Sequence, residues 1–257
     1  MILKIFFLLM TTILSYSLIN NPIVSYTNKF KNLAEVKIME PKNIIAEESP
    51  VVIFFTGGSS IIIPEVYNQF LNKLASKNIS ICTPFFNYKN INKLIKELDE
   101  NYKNVILAGH SSGCSIAIDN SNNQLVKQLI LLDPVKTNLW DEDKYDLFNL
   151  QSVLFLNALK SYKFSLMPLG IPFVPEFLKI TKDDLDLSDD CDIINCHAKN
   201  YGHCDILDNK FSDQMHNSRI AIGNKDRSPE NLDQYQEWVT SVIDDYLKGG
   251  QIEIKKY

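Results

Sequence analysis

Short runs of β-branched and other apolar residues recur along the middle of the chain, at Val51–Phe55, Ile79–Cys82, Val105–Ala108, Leu129–Leu132 and Val153–Leu156. They are nearly continuous in apolar residues rather than alternating, as strands buried on both faces require. The stretches between them carry a helical period. Within Pro64–Lys77, Val66, Phe70 and Leu74 fall four residues apart, behind a proline suited to a first helical turn. Within Asn90–Tyr102, Ile91, Leu94, Ile95 and Leu98 share one face. Successive strands begin 24 to 28 residues apart, the length of a strand–helix crossover. The pattern predicts an α/β fold with a mostly parallel central sheet and helices on both faces.

A further strand is expected at Ile194–Ala198, and a closing helix over Asp233–Lys248 that stops at Gly249 and Gly250. One or two antiparallel strands are expected around Ala34–Glu40. The segment Ala158–Asp190 mixes Pro168, Pro172 and Pro175 with Leu166, Met167, Phe173 and Phe177. It reads equally as a substrate-contacting lid and as packing over the sheet edge. There is no internal repeat and no low-complexity linker, so residues 20–257 are expected to form one domain with a lid insertion around 158–190.

The first 19 residues read differently. Lys4 precedes the apolar run Ile5–Leu14 and the small residues Ser15 and Ser17, as in a secretory signal peptide. The run is too short to span a bilayer, which needs about 20 apolar residues. A secreted or lumenal protein is expected, with an uncleaved membrane anchor as the alternative.

Over 257 residues, 45% hydrophobic and 22% charged composition is that of a globular domain. A net charge of −5 argues against nucleic acid as the main partner. Five cysteines are present, and export would permit disulfides; Cys191, Cys196 and Cys204 are close enough in sequence to pair among themselves. The crowd Cys191, Cys196, His197, His203 and Cys204 fits none of the usual structural zinc spacings. A strand through Ile194–Ala198 would also point Cys196 and His197 to opposite faces. One disulfide with the other cysteines buried is the expectation.

The chemistry-bearing feature is Gly109-His110-Ser111-Ser112-Gly113, a G-x-S-x-G pattern placed between the buried strand Val105–Ala108 and a helix starting near Ser115. A nucleophile elbow needs this context: a tight strand-to-helix turn holds the serine in strained backbone angles, and small flanking residues let strand and helix approach. A serine hydroxyl needs a base, and the base an orienting acid. Of four histidines, His203 follows the last predicted strand in a glycine-bearing loop, where a ligand-facing base belongs. His110 is expected to be a packing residue turned away from Ser111; His197 lies within a strand and His216 in a polar stretch. Asp133 ends the strand Leu129–Leu132 before Pro134 and lies between serine and histidine in sequence, the α/β-hydrolase order. Asp183, Asp184, Asp189 and Asp190 fall in a charged loop and are expected to be solvated. Oxyanion donors are expected from the backbone of Ser112 and from the Thr56-Gly57-Gly58-Ser59 loop, with Gly58 nominated.

With these residues the chain resembles the α/β-hydrolases, and within them the chlorophyllase and chlorophyllase-like group. Gly109–Gly113 is similar to that group's serine elbow, Leu132-Asp133-Pro134-Val135 to its acid-bearing strand end, and Tyr201-Gly202-His203-Cys204-Asp205-Ile206-Leu207-Asp208 to its histidine stretch. Ser112 and Cys114 stand where the plant enzymes commonly carry Arg and a second Gly, and Thr56 replaces the usual His. The resemblance implies a serine esterase with a Ser111–Asp133–His203 triad, no cofactor and a small hydrophobic ester as substrate. Lipid and wax esters stay open beside chlorophyll, as does association with a lipid surface. A catalytically silent scaffold for ligand or protein binding, and a thioesterase or acyltransferase using the same triad, are the alternatives.

Overall fold

In the computed structural model, residues 36–249 are described apart from 42–43, 59, 61, 86–87, 138–143, 162–177 and 218–222. The apolar runs pair as one sheet. Its strands are β1 (Val36–Met39), β2 (Pro50–Phe55), β3 (Ser80–Pro84), β4 (Asn104–His110), β5 (Val126–Leu132), β7 (Ser152–Ala158) and β9 (Asp192–Ala198). The order is β1-β3-β2-β4-β5-β7-β9, and every pairing is parallel except that of β1 with β3. The short strands β6 (Tyr145–Leu147) and β8 (Leu185–Leu187) form a separate parallel pair.

Two layers of helix explain why the strands carry apolar residues at consecutive positions. Side chains of a strand point alternately to the two faces. Val52 and Phe54 of β2 pack on one side with Ile106, Ile130 and Leu154, while Val51, Ile53 and Phe55 pack on the other with Leu107, Leu129 and Phe155. The first face is covered by α1 (Asn68–Ser76) and α5 (Pro229–Leu247), with Phe211 and Met215 of α4 (Asn209–Asn217). The second is covered by α2 (Ile91–Asp99) and α3 (Gly113–Asp119). Both faces are buried in β2 from Val51, in β4 from Val105, in β5 from Leu129 and in β7 from Val153.

Several elements differ from expectation. The predicted helix from Pro64 begins as a 3-10 turn through Tyr67 and becomes α-helical only at Asn68. The closing helix starts at Pro229, where the Ser228 hydroxyl accepts the Asn231 N–H at 3.3 Å, and ends before Gly249 at φ 66°. The β6–β8 pair and α4 were not expected. Three-residue strands are too short to show a period, and α4 presents only Phe211 and Met215 as buried large apolar residues. Residues 1–19 and the 162–177 core of the expected lid lie outside the described residues.

The expected disulfide does not form: all five cysteines are free thiols. Cys191 packs toward the α2–α3 face and Cys196 into the α1–α5 face, so the sheet lies between them. Cys204 is buried beside the histidine loop, where burial raises its thiol well above the ordinary value.

Candidate active site

The elbow between β4 and α3 is built from backbone. Ser111 has φ 58°, a left-handed conformation that costs a non-glycine residue about 1–3 kcal/mol and persists only where its surroundings impose it. They do so here. The Ser111 N–H donates to the Leu132 carbonyl at 3.0 Å, and the Ser111 carbonyl accepts from Cys114 N–H at 3.0 Å and Val135 N–H at 3.2 Å. Glycine is required on both sides. A Cβ at Gly109 would lie 2.5 Å from the Gly113 backbone, and one at Gly113 would lie 2.3 Å from the Phe55 carbonyl oxygen. The same contacts seat Ser111 against the end of β5, where Asp133 emerges.

Asp133, itself at φ 46°, is 3% exposed. Its Oδ2 accepts from His203 Nδ1–H and from the Ser161 hydroxyl, both at 2.5 Å, and its Oδ1 accepts from Ala158 N–H at 3.2 Å. Burial alone would raise this carboxyl; the His203 and Ser161 hydrogen bonds and the His203 charge outweigh it and hold the group below the usual carboxylate range. Because Nδ1 of His203 carries the proton given to Asp133, its Nε2 is left as the basic nitrogen. Leu132, Leu156, Ile206 and Tyr235 line a small cavity against the pair and keep its surroundings apolar.

His203 is held from below by Asp205. Oδ2 of Asp205 accepts from Gly202 N–H at 2.9 Å and Asn224 N–H at 2.8 Å, while its Oδ1 pairs with Arg227 and with the Ser212 hydroxyl. Asp205 is 1% exposed, so this charge is satisfied wholly by protein groups. Asp208 accepts Gln69 N–H at 2.8 Å and ties the same stretch to α1. Both acids of the Tyr201–Asp208 stretch therefore brace the loop that carries His203.

The turn after β2 faces the elbow. Gly57 N–H donates to the Tyr67 hydroxyl at 3.1 Å, and the Thr56 hydroxyl donates to the Ile62 carbonyl at 2.5 Å. Gly58, at φ 61°, gives its N–H to no acceptor among the described residues. Ser112 stands at the N-cap of α3, immediately after Ser111.

The structure thus joins Asp133 and His203 directly and sets Ser111, Ser112 and Gly58 at the adjoining strand ends. The hydrogen bonds formed by the described side chains do not include one from the Ser111 hydroxyl to His203. His197 is exposed on β9 and His216 lies on α4, as expected of residues outside the site. Asp184 is not simply solvated: it caps the turn at Thr181 and pairs with Lys136 at 2.6 Å. His110 is buried as expected, but it is more than packing. Its ring lies 4.6 Å from that of His203, and both its nitrogens are hydrogen-bonded. Burial, reinforced by the neighbouring His203 and partly opposed by Asp133, lowers it to about 3, so it is neutral. Ser161 and Tyr67 carried no sequence signal for the site. Tyr67 falls in a helical apolar pattern, and nothing in the spacing of Ser161 relates it to Asp133.

A parallel sheet in this order, a left-handed serine between strand and helix, and an Asp–His pair from two later strand ends define the α/β-hydrolase fold. Among solved structures the chain is similar to Est1E from Butyrivibrio proteoclasticus, at 13% identity, covering 83% of this chain and 93% of that one, with a TM-score of 0.48. It is also similar to an arylesterase, at 13% identity, 82% and 80% coverage and a TM-score of 0.49. A third is a putative alpha/beta hydrolase from Agrobacterium tumefaciens, at 10% identity, 85% and 92% coverage and a TM-score of 0.44. No family model matches the sequence, and no curated protein matches it.

Proposed function

We propose that this protein is a serine hydrolase that cleaves carboxylic esters of hydrophobic substrates. The observation that carries the reading is the buried Asp133–His203 pair beside the strained Ser111 elbow. In this reading His203 Nε2 takes the Ser111 proton as Oγ attacks the ester carbonyl. The tetrahedral oxyanion is held by the Gly58 and Ser112 N–H groups, each worth about 3 kcal/mol. The protonated His203 then gives its proton to the leaving alcohol, and water repeats the sequence on the acyl-enzyme to release the acid.

Within that class, a chlorophyllase-like preference rests on the motifs around Ser111, Asp133 and His203, and the signal-like pattern of residues 1–19 supports a secreted or lumenal enzyme, with a membrane anchor as the alternative. Ser111→Ala tests the reading: we expect the variant to lose ester turnover, and labelling by a fluorophosphonate probe, while keeping its thermal transition. Wild-type-like turnover in that variant ends the proposal. Product analysis with thioesters, or with alcohols as acyl acceptors, separates hydrolysis of oxygen esters from the chemistries that share the triad.

A further inference from the structure

Beneath the candidate site, a buried line of hydrogen bonds joins the turn after β2 to the loop that carries His203. Its polarity is dictated from both ends. At one end the Gly57 N–H can only donate, and it does so to the Tyr67 hydroxyl oxygen at 3.1 Å. At the other, the His203 carbonyl can only accept, so His110 Nε2, 3.0 Å away, carries a proton. The remaining link is Tyr67 OH to His110 Nδ1 at 2.8 Å. A neutral His110 protonated on Nε2 leaves Nδ1 as acceptor, and the Tyr67 O–H donates to it. A cationic His110 would put a positive charge 4.6 Å from the ring that must itself become cationic during turnover. Tyr67 is fully buried and His110 is 3% exposed, so no water stands ready to replace either partner.

We infer that Tyr67 and His110 are positioning residues that hold the oxyanion turn and the His203 loop in register. The inference rests on the serine-hydrolase reading and deepens it. Gly57 is chain neighbour to Gly58, whose N–H is the nominated oxyanion donor. Without the Tyr67 hydroxyl, the Gly57 N–H is a buried orphan, and the turn must rotate to find another acceptor, carrying Gly58 with it. The packing of Tyr67 does not depend on that hydroxyl: its ring meets Phe54 edge-on at 5.3 Å and His110 at 5.6 Å. Tyr67→Phe therefore removes the link and keeps the shape.

Two His110 variants divide the line. His110→Gln places an amide N–H where Nε2 stood and keeps the bond to His203, but loses the acceptor for Tyr67. His110→Asn keeps an acceptor near Nδ1 and loses the bond to His203. The experiment measures kcat and KM for nitrophenyl esters, per active site counted by fluorophosphonate burst, with thermal melting alongside. We expect Tyr67→Phe and His110→Gln each to lower kcat about tenfold or more with KM within about twofold, the signature of a misplaced transition-state donor. The double variant should fall no further than Tyr67→Phe alone, because the link that His110→Gln cuts is already absent there. His110→Asn should also move the acid limb of kcat/KM, which reports the His203 imidazole.

A folded Tyr67→Phe with kcat within about twofold of wild type, or multiplicative losses in the double variant, overturns the inference. So does a loss that only tracks the number of active sites, and so does failure of every variant to fold, since each assigns the line to the core alone. If wild type neither labels nor turns over esters, the hydrolase reading falls and this inference with it. If wild type does both and the variants match it, this inference alone falls.

Discussion

Replacing Asp133 by Asn separates the charge of the acid from its shape. His203 Nδ1–H and the Ser161 hydroxyl donate to Oδ2, and Ala158 N–H donates to Oδ1 at a longer 3.2 Å. An amide has one oxygen to offer. Turned toward His203 and Ser161, it sets its NH2 against Ala158 N–H, which costs about 1–3 kcal/mol for one unsatisfied buried donor. Turned the other way, its oxygen accepts from Ala158 N–H, and its NH2 donates to the Ser161 oxygen and to His203 Nδ1, which moves the imidazole proton to Nε2. That orientation leaves no N–H unsatisfied and wins, so Nε2 carries a proton and no longer serves as the base. Lost with the base is the attraction between the carboxylate and the imidazolium. At a charge separation of about 4 Å and an effective dielectric of about 20, that is about 4 kcal/mol, or about 10³ in kcat. Nitrophenyl-ester kinetics at pH 7–8 should show a fall of about 10³ or more. Thermal melting should show less than about 1 kcal/mol of change, because each buried N–H keeps a partner. A kcat within about fivefold of wild type would show that Asp133 does not orient the base. A fall in kcat accompanied by a stability loss of about 1–3 kcal/mol would show the amide turned toward His203 and refute the argument from satisfied donors.

Two further outcomes concern the scaffold. Gly113→Ala drives a Cβ to 2.3 Å from the Phe55 carbonyl oxygen and 2.5 Å from that of Thr56, both backbone atoms. We expect about 1–3 kcal/mol or more of lost stability, read as a Tm lower by about 2–4 °C per kcal/mol; an unchanged Tm would refute the close approach of β2 and α3. Asp208 is raised to about 6 by burial, against the opposing pull of Gln69 N–H and Lys37. Its folded pKa lies above the unfolded value of about 4, so the folded state binds the extra proton between those values and stability falls as pH rises through about 4 to 6. Asp208→Asn, whose amide oxygen still accepts from Gln69, should match wild type at pH 4 and melt higher at pH 7. Parallel Tm profiles over that range would contradict the shift.

The Tyr201–Asp208 stretch shows how closely structure and chemistry share residues. His203 is one of the few groups in it aimed at Asp133, whereas Asp205 and Asp208 hold the loop through Arg227, Asn224 and Gln69. A motif read as catalytic is therefore mostly a brace. Its acids hold backbone and side-chain groups around the imidazole, Asp205 through an ion pair with Arg227.

What was legible in the chain were features that repeat or constrain locally. Consecutive apolar positions in β2, β4, β5 and β7 report burial on two faces, because side chains alternate along a strand whatever its neighbours are. The glycines at 109 and 113 report close approach, because a Cβ there would overlap backbone. Asp133 and His203 were singled out because ligand-facing groups sit at the carboxyl ends of parallel strands, and the structure hydrogen-bonds the two to each other. Other features were decided only by tertiary structure. Ser161 reaches Asp133 across 28 residues of sequence, and Tyr67 reaches His110 across 43. Cys191 and Cys196 are close in sequence yet separated by the sheet. A hydrogen bond between distant positions leaves no period in either segment: it exists because two crossovers return the chain to the same edge of the sheet, and only the packed layers fix where those edges meet.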